Sequence, residues 1–445
     1  MYQHALRIIS TLLFCVYSCL LTAQSAQIQG IDTIFQKSKL FDQIFTGFAL
    51  YEPQQDSFLY RRAADKYYTP ASNTKIFTLY TSLAILGDSI PALYYQETDS
   101  SFVFWGSGSP ALLYSRLPED ESVLDFLGQQ TKPLYFSTHN WKEDHFGPNW
   151  AWDDYNYAYQ CERTPFPIYG NHVTFSHEKN ALSFTATPSY FQNSVSIDED
   201  LPNRYPRFVR DLDDNKFQCN YAALTGNKYE RFVPFRYSDE LFVQLLSDTL
   251  KREIKIYEEI IQIADIKAFY TAMPSDSIYQ LLMQESDNFI AEQLLLTASN
   301  HLFGIQNSKQ IIDFMKRTSL QDLADEPQWV DGSGLSRFNL FTPRSVVQVL
   351  DEIYKLLPEE RLFNIFPAGG VSGTIEDWYE AEQGEQPYVF AKTGTLSNKH
   401  CLSGYLRTKS GKTLIFSFMN NNYIGSSSPV KREMQGILEY IRDSY

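Results

Sequence analysis

The sequence predicts an α+β fold in which a helical layer covers an antiparallel sheet and a large β-rich region is inserted. Three patterns carry that expectation. Strand-like runs stand at both ends of the chain: Phe45–Glu52 and Ser57–Arg61 early, then Tyr388–Ala391, Leu402–Arg407 and Thr413–Met419 late. Helical periodicity dominates much of the stretch from Ser238 onward. Between residues 93 and 235, short alternating runs are separated by turn residues, which is the texture of small sheets.

Taken in order, the chain begins with Arg7 and an apolar run from Ile8 to Leu21, followed by the small-x-small site Ala23-Gln24-Ser25. That pattern reads as a secretory signal peptide over residues 1–25, too short for an ordinary membrane span. Cys15 and Cys19 lack the preceding small residues of a lipidation site. Residues 26–92 then read as the first part of the main domain: a short helix, a hairpin turning at Pro53–Asp56, and a helix within Thr69–Gly87. Pro70 suits a helix start because its missing N–H has no intrahelical partner there. Ile76, Phe77, Leu79, Tyr80, Leu83 and Leu86 recur at helical spacing, and Gly87 ends the run.

Residues 93–235 are expected to form the insertion, as one or two subdomains, with Ser101–Trp105 extended and a hairpin joining His172–His177 to Ala181–Thr187 through Glu178–Asn180. The aromatic-dense GPNWAWDDYNYAYQ, Gly147–Gln160, reads as core packing in preference to sugar stacking. Residues 236–445 resume the main domain. Ser238 is a good N-cap for DELFVQLLSDTLKREI, and helices follow over Ile278–Met283, Phe289–Ser299 and Lys309–Arg317. The final helix, Pro429–Ser444, carries Met434, Ile437, Leu438 and Ile441 on one face.

Composition narrows the function. A chain of 445 residues, 43% hydrophobic and 15% aromatic, is long enough for two or three packed domains. Its net charge of −15, with Arg7 the only charge in the leader, argues against nucleic acid or an anionic membrane as partner. The mature chain keeps Cys161, Cys219 and Cys401; Cys161 paired with Cys219 and three free thiols both remain open. The seven histidines are scattered without an HExxH, and neither GxGxxG nor a P-loop occurs, so no metal and no cofactor is expected.

Chemistry concentrates in three short motifs. Ser72 lies at a helix start with Lys75 three residues on. A serine hydroxyl needs a base within reach, and a lysine drained of its proton by burial or by another cation can be that base. SxxK alone is common and recurs here at Ser176/Lys179 and Ser428/Lys431. Ser286-Asp287-Asn288 stands between two helical segments, where a hydroxyl and a carboxamide can relay a proton and hold a substrate amide. Lys392-Thr393-Gly394-Thr395 follows the strand Tyr388–Ala391; its lysine sets a positive field, and Gly394 permits close approach to the backbone. S-x-x-K, S-D-N and K-T-G in that order form the motif set of class A β-lactamases and penicillin-binding proteins.

PASNTK, SDNFIAEQLL, DGSGLSR (Asp331–Arg337), AGGVSGT (Ala368–Thr374) and KTGTLSNKHCLSGYL, with WAWDD in the insertion, narrow this further. Together they resemble the class C low-molecular-mass penicillin-binding proteins, the D-alanyl-D-alanine carboxypeptidases/endopeptidases that carry a large insertion between SxxK and SxN. The resemblance implies a penicillin-binding-protein/β-lactamase-like transpeptidase fold, a periplasmic location, peptidoglycan stem peptides as substrate and β-lactams as covalent inhibitors. It also implies roles. Ser72 is the nucleophile, Lys75 its base, Ser286 the proton shuttle, Asn288 the group orienting Lys75, and Lys392 the positive charge that also keeps Lys75 neutral. Thr393 and Thr395 bind the terminal carboxylate, Gly394 lets substrate in, and the backbone N–H groups of Ser72 and Thr395 form the oxyanion hole. A β-lactamase or esterase on the same fold, and a catalytically silent cell-wall binding protein, are the alternatives.

Overall fold

The computed structural model describes residues 27–179, 181, 183–224, 228–259 and 265–445. The leader and its cleavage site, and Asn180 of the expected hairpin turn, lie outside the described residues. The chain divides into two units. One holds the described residues up to Asn73 with Leu323–Pro327 and Leu340–Tyr445; the other holds Thr74–Asp322 and Gln328–Asn339.

In the first unit, helices α1 (residues 27–37) and α2 (Lys39–Gln43) precede the hairpin of β1 (Phe45–Glu52) and β2 (Ser57–Arg62). β1 also pairs antiparallel with β16 (Thr413–Asn421), which brings Phe48 opposite Phe418 and joins the two ends of the sequence in one sheet. β14 (Val389–Leu396) and β15 (Lys399–Arg407) complete it, in the order β14-β15-β16-β1-β2. The side-chain period of two decides what each face meets. Phe48, Leu50, Phe416 and Phe418 pack with Phe35 of α1 and with Met434, Ile437, Leu438 and Ile441 of the final helix α11 (Ser428–Ser444), as the sequence pattern requires. Helix α9 (Pro343–Leu356) packs against β1 and β16, and α10 (Glu359–Ile365) follows it. Tyr405 of β15 donates its hydroxyl to the Leu350 carbonyl of α9.

In the second unit, α3 (Thr74–Ile85) packs on α7 (Asn288–Phe303), with α6 (Ser275–Gln284) and α8 (Ser308–Arg317) alongside. Every residue of α7 from Phe289 to Asn300 is buried, so the helix has no solvent face to pattern. Gln293 among its polar members is satisfied internally: it donates to the carbonyls of Gly108 and Thr164 and accepts the Thr164 N–H. Gly87 ends α3 in a left-handed turn, φ 60°, as expected of glycine there. A five-stranded sheet runs β12 (Ile254–Ile256), β5 (Leu134–Phe136), β4 (Phe102–Gly106), β3 (Pro91–Glu97), β13 (Lys267–Tyr270). It is covered by α5 (Asp239–Leu250), whose Phe242 ring lies 4.3 Å from Phe136, and by α4 (Ser122–Gly128), whose Phe126 stacks on Phe269 at 4.1 Å. Two three-stranded sheets follow: β11 (Tyr229–Pro234)-β6 (His172–His177)-β7 (Thr185–Thr187), and β8 (Val195–Ile197)-β10 (Phe217–Cys219)-β9 (Phe208–Arg210). The architecture is α+β.

Three local expectations are corrected, and the question left open for the cysteines is answered. The helix capped by Ser238 ends at Leu250, because Lys251 turns left-handed (φ 53°) and Ile254–Ile256 pairs in parallel with β5 instead of continuing the helix. The strand expected to stop at Ala391 continues through the Lys-Thr-Gly motif to Leu396. The aromatic stretch is not core: Trp152, Tyr157 and Tyr159 are 75%, 53% and 43% exposed. It folds as isolated 3-10 turns, which present no periodic face to bury, and Tyr157 stacks on Tyr159 at 5.2 Å. All three described cysteines are free and buried, so Cys161 and Cys219 are not paired. No helix among the described residues is long and apolar enough to cross a membrane.

Candidate active site

In the first unit the site is a turn clamped onto a strand. Ser72 is the middle residue of a 3-10 turn, Ala71–Asn73, and the α-helix proper starts only at Thr74. Ala71 takes a left-handed conformation at φ 48°. Asn73 is the rivet. Its Nδ2 donates to the Lys392 carbonyl at 2.8 Å, its Oδ1 accepts from Ser403 Oγ of β15 at 2.7 Å, and its N–H reaches the Pro70 carbonyl. Gly394 makes that approach possible: a Cβ there would stand 2.3 Å from the Pro70 carbonyl oxygen and 3.1 Å from the Ser72 nitrogen.

Lys392 is fully buried and its Nζ donates to the Thr393 carbonyl at 2.8 Å. Thr393 donates its hydroxyl to Thr374, so the Lys-Thr-Gly strand meets the glycine-rich AGGVSGT segment. Thr395 stands opposite His400 in the β14–β15 register, with Oγ1 and Nδ1 2.9 Å apart. Burial pushes His400 down to about 3, which keeps its ring neutral.

In the second unit the site centres on Lys75, which is completely buried. Its Nζ donates to Asn288 Oδ1 at 2.6 Å and to the Ser333 carbonyl at 2.7 Å. The Asn288 amide is oriented by its own Nδ2, which donates to the Tyr159 carbonyl. Burial lowers Lys75 from 10.5 to about 8, against the opposing pull of Asp287, Asp331 and Glu292. Burial is therefore the leading cause, one of the two that the residue types alone allowed. Ser286 is left-handed at φ 58°, and Asp287 caps α7 by accepting the Ile290 N–H. The same carboxylate accepts from Tyr114 Oη at 2.6 Å and from Arg116 at 2.9 Å.

Several members of this half carried no role in the sequence reading. Asp331 organises the DGSGLSR turn: Oδ1 accepts the Gly334 N–H and Asn339 Nδ2, and Oδ2 accepts the Ser336 N–H and Trp150 Nε1. An aspartate two to five residues ahead of such donors is a turn signal that the spacing already contained. Glu292 accepts the Ser333 N–H at 2.7 Å. It lies four residues after Asn288, hence on the same helix face, which is the signal that would have found it. Arg163, which faces Glu292 at 3.6 Å, has no local sequence signature.

The sequence profile of the D-Ala-D-Ala carboxypeptidase 3 (S13) family matches residues 27–442. The chain belongs to that family. Its class is thus that of the serine-type D,D-peptidases of peptidoglycan. The chain is 24% identical over 446 residues to a D-alanyl-D-alanine carboxypeptidase of Actinomadura sp. (strain R39), covering 89% of this chain and 81% of that protein. It is 27% identical over 190 residues to the D-alanyl-D-alanine carboxypeptidase DacB of Haemophilus influenzae, an alignment that takes in 41% of this chain and only 39% of the relative's length. The crystal structure of penicillin binding protein 4 (dacB) from Haemophilus influenzae superposes with a TM-score of 0.71 at 18% identity, over 93% of this chain and 99% of that one. Another crystal structure of that protein is of its complex with a β-lactam. The structural likeness carries the fold, that of penicillin binding protein 4.

Proposed function

We propose that this S13-family chain is a secreted, periplasmic peptidase that cleaves terminal D-alanyl-D-alanine, or D-alanyl cross-links, of peptidoglycan through an acyl-enzyme on Ser72. On this reading residues 1–25 are the leader, 26–92 and 236–445 the catalytic domain, and 93–235 the insertion. The observation that supports it best is the pair of oxygens on Lys75. A neutral amine has two N–H groups and one lone pair. Two oxygens that can only accept, Asn288 Oδ1 and the Ser333 carbonyl, take two donors from the amine. On this reading the lone pair of the amine receives the proton of the nucleophile.

Ser72 precedes Lys75 by three residues along one helical run. Its Oγ–H proton passes to the Lys75 amine as Oγ bonds to the carbonyl carbon of the penultimate D-alanine. The oxyanion is held by the N–H groups of Ser72 and Thr395. The tetrahedral adduct collapses with rupture of the C–N bond; Ser286 gives its hydroxyl proton to the departing D-alanine amine and takes the proton held on Lys75, which Asn288 keeps oriented and which is thereby neutral again. Thr393 and Thr395 receive the terminal carboxylate in the positive field of Lys392, while Gly394 lets the Ser72 turn lie close against this strand. Water then cleaves the ester and restores Ser72. A β-lactam ring acylates the same serine but leaves slowly.

Peptide mapping after incubation with a penicillin tests this. The expected result is a long-lived adduct on Ser72, and loss of D-alanine release in Ser72→Ala. A protein that stays unmodified while the drug is hydrolysed marks a β-lactamase, and one that leaves the drug intact marks a silent or differently specific member.

A further inference from the structure

Behind Lys75 lies a buried carboxylate that the proposed mechanism does not use. Glu292 sits one turn after Asn288 on α7 and is buried on all sides. Its Oε1 accepts the Ser333 N–H at 2.7 Å, and the carbonyl of the same Ser333 accepts from Lys75 Nζ at 2.7 Å. One residue thus links the two side chains, with its N–H on Glu292 and its C=O on Lys75. Packing alone does not ask for a carboxylate here, since removing a charge from water is costly unless it is used or paired.

We propose that Glu292 is a positioning residue for Lys75: it fixes the Ser333 peptide whose carbonyl aims the amine, and its negative charge sets how firmly that amine keeps its third proton. This rests on the reading of Ser72 and Lys75 as nucleophile and base. The groups that face Glu292 make its charge matter. Arg163 stands 3.6 Å from Oε2, an oxygen with no hydrogen-bond donor among the described residues. Arg163 is itself shared with Glu143 at 3.1 Å and with the carbonyls of Asp144 and Phe146, and it lies over the Trp150 ring. Asp331, in the same turn as Ser333, pushes the proton affinity of Glu292 further up on top of burial, while Arg163 and the Ser333 N–H oppose it. Glu292 and Asp331 both favour the ammonium form of Lys75, as does Asp287 at the head of α7.

Charge and contact can be separated by substitution. Glu292→Gln keeps an oxygen for the Ser333 N–H and loses the charge; Glu292→Asp keeps the charge and withdraws the oxygen by one methylene. The experiment is the pH profile of Ser72 acylation by a penicillin for wild type and both variants, each checked by a melting curve. For Glu292→Gln the acid limb is expected to move to lower pH, since the ammonium form of Lys75 loses a stabilising anion. For Glu292→Asp the limb stays and the plateau rate falls roughly tenfold, the scale of a sub-ångström displacement of the base. A wild-type limb in Glu292→Gln together with a wild-type plateau in Glu292→Asp overturns the proposal. So does an equal loss in both with no shift of the limb, which is the mark of a purely structural carboxylate. If Glu292→Gln does not fold, Glu292→Asp decides alone, and a wild-type plateau overturns the proposal. A wild-type protein that shows no Ser72 adduct instead refutes the nucleophile assignment on which this one rests.

Discussion

Gly394→Ala adds a single methyl to the Lys-Thr-Gly strand, and the geometry says where it lands. The new Cβ would stand 2.3 Å from the Pro70 carbonyl oxygen, 2.9 Å from the Asn73 nitrogen and 3.1 Å from the Ser72 nitrogen. An ordinary C···O contact is about 3.3–3.6 Å, so strand and turn must part by roughly 1 Å. All three obstacles are backbone, so no side chain can swing aside. The separation pulls directly on the bond from Asn73 Nδ2 to the Lys392 carbonyl, and on the bond from Ser403 to Asn73 that ties β15 to the same turn. A misplacement of about 1 Å at a reacting group costs on the order of a hundredfold in rate. Overpacking of this kind costs about 1–3 kcal/mol in stability. The assay is the rate of Ser72 acylation by a penicillin, followed by mass spectrometry above pH 8, with thermal melting in parallel. The expected outcome is a drop of about two orders of magnitude in acylation with a fall of only a few degrees in melting temperature, roughly the scale of a small destabilisation in a chain of this size. Wild-type acylation in a folded Gly394→Ala protein would refute the claim that contact between this strand and the Ser72 turn sets the nucleophile.

Two further outcomes follow from the residues around Lys75. Because Lys75 must be neutral to accept a proton and burial holds it at about 8 instead of 10.5, acylation should rise with pH through about 8 and level off above it; a limb at the ordinary lysine value would contradict the buried, neutral amine. Asp331→Ala strands the Gly334 and Ser336 N–H groups, Asn339 Nδ2 and Trp150 Nε1. At about 1–3 kcal/mol for each buried donor left unmet, the loss should exceed about 3 kcal/mol, read as a lower urea midpoint, and an unchanged midpoint would show that the turn holds without it.

What the sequence made legible followed from periodicity and from local turn chemistry. The strands of the first unit, the amphipathic face of α11, the Ser238 cap and the Gly87 stop are all short-range patterns, and each is in place. The order of strands was not legible, since nothing near Phe48 announces Phe418 as its partner. The end of α5 was missed because Lys-Arg-Glu-Ile continues a helical pattern, and only pairing with the distant β5 makes Ile254–Ile256 a strand. In the site, motif spacing drew attention to Lys75 and Asn288, which share a hydrogen bond. Local spacing held a signal for Asp331 and Glu292 but not their distant partners Trp150 and Ser333, and it was silent on Arg163, which faces Glu292 from far along the chain.

The two serine motifs share a physical feature that their letters do not state. Ala71, just ahead of Ser72, and Ser286 itself both lie in the left-handed region, at φ 48° and 58°, where neither side chain is at ease. Such a conformation costs an ordinary residue roughly 1–2 kcal/mol and persists only where neighbours over-determine it. At Ser286 the determinant is Asp287, held at once by Tyr114, Arg116 and the first turn of α7. At Ala71 it is Asn73, bonded to β14 and β15. The Ser-x-x-Lys at Ser428/Lys431 has the same letters without such anchors: Ser428 opens an ordinary helix and bonds only its neighbour Ser426 among the described contacts. The difference between a motif and a coincidence thus lies in whether distant residues hold the serine's backbone in a conformation it would not adopt alone.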